Sequence, residues 1–219
     1  MIILEGVSKS FKTPSGVRKV FDDLHLVFPT SSTTALLGRN GAGKSTLMSI
    51  IAGASEPDGG RVHRMSSVSW PIGLSSGFQG SLTGRQNVMF VSRVHGDSRF
   101  QMRRRVKYVE EFAGVGDYFD MPMSSYSSGM RSRVAFGMSM AFDFDMYLVD
   151  EVTAVGDAAF RKKCIDAFSE KRASKSGMIL VSHEMSLVKK WCDRAVFIDD
   201  GKITIYKDIN EAIARYKSA

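Results

Sequence analysis

Residues 33–46 read T-T-A-L-L-G-R-N-G-A-G-K-S-T. T-T-A-L-L is a short run of β-branched and apolar residues, the pattern of a buried strand. It enters a Gly-rich turn, after which Leu47, Ile50 and Ile51 fall on one face of a helix. Gly38-Arg39-Asn40-Gly41-Ala42-Gly43-Lys44-Ser45 meets G-x-x-x-x-G-K-[ST] at every fixed position, in the strand-then-helix context that gives the motif its meaning. Successive backbone N–H groups and the helix dipole then form a concavity for nucleotide phosphates. Lys44 would reach the β- and γ-phosphates, the Ser45 hydroxyl would bind Mg²⁺, and Thr46 continues the helix start.

Three more apolar runs look like buried strands: M-Y-L-V-D (146–150), G-M-I-L-V-S-H (177–183) and R-A-V-F-I-D-D (194–200). Between the first two, Phe160, Cys164 and Phe168 recur every four positions, as on a helix. Strands alternating with helices predict an α/β fold with a mainly parallel sheet. From about residue 82 to 142 the pattern is helical only, with stripes at Val106, Val109, Phe112 and Ala113 and at Val134, Met138 and Ala141. We expect one domain over residues 1–219, with a helical subdomain inserted there.

M-Y-L-V-D-E ends a buried strand in two acids. Asp150 is placed to hold magnesium, through water, and Glu151 to orient or deprotonate an attacking water; Asp-Glu is equally a common way for a strand to exit into a loop. His183 would stand beside a γ-phosphate if its strand neighbours the one ending in Asp150. The stretch S-S-Y-S-S-G-M-R-S-R (124–133) falls at the start of the last helix of the inserted segment, either as a serine cap or as a second loop approaching phosphate.

A charge of +7 and a pI near 9.5 are compatible with nucleic acid or an anionic membrane surface. The cations fall in separate clusters, among them Arg103, Arg104, Arg105 and Lys107, on expected amphipathic helices, so solvated faces are favoured, lipid second and nucleic acid third. No apolar stretch approaches the roughly 20 residues of a membrane helix. The N-terminus M-I-I-L-E-G-V-S-K has no export-signal pattern, and Cys164 and Cys192 have no metal spacing and read as buried thiols. These features lead us to expect a cytosolic protein with no intrinsic membrane span.

The order Gly38 to Ser45, then S-S-G-M-R (127–131), L-V-D-E (148–151), Asp157 and His183 resembles the nucleotide-binding subunit of an ATP-binding cassette (ABC) transporter along the whole chain. The family signature L-S-G-G-Q appears as Tyr126-Ser127-Ser128-Gly129-Met130. The resemblance implies a P-loop ATPase core with an N-terminal antiparallel β portion, ATP and Mg²⁺ as ligands, and ATP hydrolysis. It also implies a head-to-tail homodimer in which Ser127 and Gly129 cap the ATP held by the partner. Glu151, His183 and Lys44 take the catalytic roles. Gln79 matches the glutamine that senses the γ-phosphate and magnesium, Asp157 the D-loop aspartate, and Phe11 the aromatic that stacks on adenine, although Phe11 equally fits a strand core.

V-T-A-V-G-D (152–157), with Y-S-S-G-M-R-S-R (126–133), resembles cassettes that export bacterial surface polysaccharides, and W-P-I-G-L-S-S-G-F-Q-G-S-L-T-G (70–84) resembles in particular exporters of capsular polysaccharide on lipid-linked chains. Related O-antigen exporters often carry a C-terminal carbohydrate-binding domain beyond the point where this sequence stops, at Ala219. The implied setting is the cytoplasmic face of the inner membrane, with integral-membrane permease subunits and periplasmic and outer-membrane export proteins as partners. Export of another surface glycan, a soluble mechanical ATPase acting on nucleic acid or ribosomes, and a P-loop kinase stand as alternatives.

Overall fold

The computed structural model describes residues 1–14, 16–72, 78–150 and 157–218. The chain opens with β1 (Ile2–Thr13) and β2 (Gly16–Phe28), paired antiparallel from Ile2↔Phe28 to Thr13↔Gly16. β3 (Thr33–Gly38) and α1 (Lys44–Ala52) follow, and β4 (Gly59–Arg64) returns to the free edge of β1, giving a sheet of order β2-β1-β4. Alternation decides which face of these strands is covered: Ile2 and Leu4 on β1 and Leu24, Leu26 and Phe28 on β2 point inward.

The second sheet has the order β5-β6-β3-β7-β8, with β5 at Met146–Asp150, β6 at Gly177–Val181, β7 at Arg194–Asp199 and β8 at Lys202–Tyr206. Its first four strands run parallel and β8 is antiparallel to β7. β3 and β6 are buried at every position, as expected of strands covered on both faces. One core cluster joins both sheets through α1, whose Leu47, Met48, Ile50 and Ile51 are fully buried. Each such side chain contributes about 1.5–3 kcal/mol relative to an exposed one. The outer edge of β5 is met at its first residue by a parallel bridge of Val68 to Met146, whose N–H donates to the Ser67 carbonyl at 3.1 Å. On the residue before β5, Asp145 Oδ2 accepts from both the N–H and the hydroxyl of Ser67 at 2.9 Å. Those two bonds hold the Asp145 carboxyl below the usual carboxylate range.

Contacts divide the chain into two units. The first comprises Met1–Pro71, Phe144–Glu151 and Lys171–Ala219, and contains both sheets. The second comprises Ile72–Asp143 and Val152–Glu170. It carries α2 (Gly84–Val94), α3 (Arg99–Ala113), α4 (Ser128–Ala141) and most of α5 (Ala158–Ala173). Two capping boxes start its helices, Thr83 with Gln86 on α2 and Ser98 with Gln101 on α3. Its core stacks Phe112 on Phe136 and sets Phe136 edge-on to Phe168. Arg105 departs from the solvated-face expectation: it bonds Asp97 at 2.6 Å and lies 4.1 Å over the Phe142 ring, because α3 turns it against the neighbouring helix. The sheet-bearing unit also carries α6 (Met185–Trp191), between β6 and β7, and α7 (Ile209–Lys217), which follows β8. Cys164 and Cys192 are both buried and unpaired with each other, and desolvation pushes each thiol up to about 12, as inert core thiols should behave. Among the described residues no helix is long and apolar enough to cross a membrane.

Candidate functional site

The phosphate loop is locked into the carboxyl end of the parallel sheet by steric necessity. Gly38 has φ +147, and a Cβ there would lie 2.4 Å from the Ile198 carbonyl oxygen on the neighbouring β7. Gly43, the left-handed N-cap of α1, has φ +105, and a Cβ there would strike Val20 Cγ1 at 2.6 Å and Phe21 at 2.8 Å. No L side chain fits either place. β2 thus forms a wall of the loop, and its Arg18 donates to the Gly41 carbonyl at 2.9 Å. Sequence reading missed Arg18, which lies 23 residues from the carbonyl it holds and belongs to no motif.

Lys44 Nζ donates to the carbonyls of Gly38 at 2.8 Å and Arg39 at 3.0 Å, so the cation of the loop braces the loop's own two ends. Arg39, Asn40, Gly41 and Ser45 are exposed, while Ala42, Lys44 and Thr46 are half-buried. The backbone amides and the N-terminus of α1 therefore open toward solvent with a lysine at their base, which is what a polyanion requires. The residues fit ATP.

The sheet order satisfies the condition set on His183. β6 lies between β5 and β3, with Asp150 opposite Val181 and Ala35 opposite Leu180. α1 packs on both β3 and β5. Ser45, Asp150 and His183 therefore stand over three adjacent strands at one end of the sheet. β6 stops at Val181, not at His183, so the histidine is carried on the exposed turn beyond the strand, with Nδ1 2.7 Å from Tyr216 Oη. Glu151 lies outside the described residues. Among those described, no three His, Cys, Asp or Glu side chains form a metal cluster; the Ser45 hydroxyl and the Asp150 carboxylate are oxygen groups of the kind that could hold magnesium together with phosphate and water oxygens.

Phe11 is 45% exposed on β1, which removes the core alternative. It sits directly opposite Arg18, the residue that reaches the loop, and opposed residues of an antiparallel pair share a face. The strand pair thus carries an exposed aromatic next to the phosphate loop.

The helical unit arranges the remaining candidates. Ser127 is the N-cap of α4, its Oγ accepting the Met130 N–H at 3.2 Å. The cap uses a lone pair and leaves the hydroxyl proton as a donor, so capping and phosphate binding are compatible. Gly129 is exposed, has no positive φ, and a Cβ there would meet only Ser127 Oγ at 3.9 Å. The fold itself does not ask for this glycine. Tyr126, where the family signature has leucine, is buried with its hydroxyl on the Tyr118 carbonyl at 2.5 Å, and the missing side chain of Gly84 makes the room.

Asp157 caps α5, accepting the Phe160 N–H at 2.8 Å, and pairs with Arg133 of α4 at 2.9 Å. The Phe160 amide first and Arg133 second hold its carboxyl below the ordinary range. Gln79 is fixed through its backbone by Asn87 of α2: its N–H donates to Asn87 Oδ1 at 2.9 Å and its carbonyl accepts from Nδ2 at 3.1 Å. Asn87 belongs to no motif, and only its burial at 2% exposure marks it as a polar group that must find partners.

The ABC transporter family profile matches residues 21–154, which include the phosphate loop, the α4 serine stretch and Asp150. The polysialic acid transport ATP-binding protein KpsT of Escherichia coli is 53% identical, the alignment covering 99% of either chain. The capsule polysaccharide export ATP-binding protein CtrD of Neisseria meningitidis is 42% identical over 100% of this chain and 99% of its own. A dimeric ATP-binding cassette solved in a post-hydrolysis state with ADP and Pi superposes with a TM-score of 0.81, covering 94% of this chain and 98% of that one. At 19% identity that last likeness concerns the fold alone.

Proposed function

The chain belongs to the ABC transporter family, and from that membership we infer that it is the ATP-binding and ATP-hydrolysing subunit of a transporter exporting capsular polysaccharide across the bacterial inner membrane. The observation that carries the reading is the juxtaposition, over three adjacent strands, of the Lys44 loop, Asp150 and His183. The end-to-end similarity to KpsT and CtrD supports the choice of cargo.

Within this reading the loop amides and Lys44 bind the phosphates, Phe11 stacks on the adenine, and His183 contacts the γ-phosphate. Glu151 orients the attacking water. Ser45 and Asp150 would hold magnesium, which would neutralise charge on the β- and γ-phosphates, and Gln79 takes the sensing role by its match to the family glutamine. The chain works as a homodimer, each copy offering the N-terminus of α4, with Ser127 and Gly129, to the ATP of the other. Gly129 supports this, because a residue that the fold does not need is suited to let another molecule approach. ATP favours the closed dimer and hydrolysis releases it, so the differential affinity of the two states drives the cycle. The subunit docks on a separate permease at the cytoplasmic face, with periplasmic and outer-membrane export proteins completing the path.

Glu151→Gln is expected to keep ATP binding, accumulate dimer, and slow turnover by at least about 10²-fold. Steady-state hydrolysis with size-exclusion chromatography in ATP reads both. Purification from native membranes should bring down a polytopic permease; a variant turning over at the parent rate, or association with nucleic acid in place of a permease, overturns the reading.

A further inference from the structure

We propose that Tyr216 is a positioning residue for His183, holding the imidazole in the tautomer and orientation that serve the γ-phosphate. The proposal rests on the reading of His183 given above and assigns a role to the C-terminal helix that no motif carries.

His183 lies on an exposed turn after a strand that ends two residues earlier, a place where a side chain ordinarily samples several rotamers. Here its Nδ1 is 2.7 Å from Tyr216 Oη, with the two rings 6.3 Å apart. Tyr216 is in the last turn of α7, where helices usually fray. This one is anchored at both ends. Asp208 caps it by accepting the Asn210 N–H at 2.8 Å, and Ile209 and Ala212 are buried beneath it. One residue before the tyrosine, Arg215 bonds Asp199 of β7 at 2.9 Å and lies 5.2 Å over the Phe197 ring. α7 is therefore tied to the strand beside β3, and its last turn is brought to the turn that follows β6.

The chemistry follows from donor and acceptor inventories. A γ-phosphate oxygen only accepts hydrogen bonds, so a neutral histidine that touches it must present an N–H. A tyrosine hydroxyl donating to Nδ1 places the ring proton on Nε2, the nitrogen on the other side of the ring. The same contact limits ring rotation, so less ordering remains to be done when ATP arrives. Phenylalanine at this position keeps the aromatic body and the helix packing while removing only the hydroxyl.

In the full chain with ATP and magnesium, Tyr216→Phe is expected to lower kcat about three- to tenfold with KM for ATP unchanged, the size of one net hydrogen bond expressed in a barrier. Nitrogen-15 NMR of the His183 ring should move from a dominant Nε2–H tautomer toward a mixture. An unchanged kcat, an unchanged ring spectrum, or a loss expressed in KM overturns the proposal. His183→Ala separates this from failure of the underlying reading. If that variant hydrolyses ATP at the parent rate, the role of His183 falls; if it is inactive while Tyr216→Phe behaves as the parent, only the role of Tyr216 falls.

Discussion

The phosphate loop before α1 and the serine loop before α4 are both short, glycine-bearing entries to a helix N-terminus, yet their glycines answer to different demands. Gly38 and Gly43 are required by the molecule's own packing, since any side chain would collide with β7 or with β2. Gly129 has open space around it and ordinary backbone angles, in a helical position where alanine would be the better residue. A glycine placed against local preference, with no internal reason, is suited to contact with something outside the chain. Gly38 and Gly43 thus belong to a loop shaped by its own packing, whereas Gly129 fits the proposed contact of α4 with a second copy's ATP.

Substitutions can break or sharpen that contrast. Gly38→Ala is expected to cost about 3 kcal/mol or more in urea unfolding, combining strain at a positive φ with a backbone clash. If it folds with parent stability, the steric account of the loop is wrong. Gly129→Ala should leave stability unchanged or raise it by up to about 1 kcal/mol, while hydrolysis by the full chain falls about tenfold. Destabilisation by this change, or undiminished turnover, would erase the distinction between the loops. The smallest effect concerns the support of α4. Because the folded-state pKa of Asp157 is lowered, its contribution is present above an unfolded value near about 4 and is lost as pH falls through the lower folded value. Parent and Asp157→Asn should therefore differ in stability at neutral pH and converge as pH falls below the ordinary aspartate range, as read by denaturant midpoints.

Much of the site was legible because its chemistry is local. Eight consecutive residues, Gly38 to Ser45, carry the phosphate loop, and the apolar runs ending at Asp150 and before His183 declare buried strands. The assignment of Ser127 to a helix start was equally local, and it serves there as the N-cap. Other features had no local signature. The pairing of Phe11 with Arg18 across the first hairpin, with Arg18 in turn on Gly41, turns an ambiguous aromatic into one placed beside the loop. Arg105 looked like one more cation of a solvated helix until its contacts with Asp97 and Phe142 removed it from that face.

What the sequence determined alone is the four strands β3, β5, β6 and β7, the helices α1, α3, α4 and α5, and the identity of their chemical groups, because strand, turn and helix preferences and the glycine requirement act over a few neighbouring residues. Only the tertiary structure decided that β6 lies between β5 and β3, and that a tyrosine 33 residues downstream meets His183. Those pairings are set by which apolar faces cover one another in the core, and burial is non-directional: it marks a position as apolar without marking which other position it will meet.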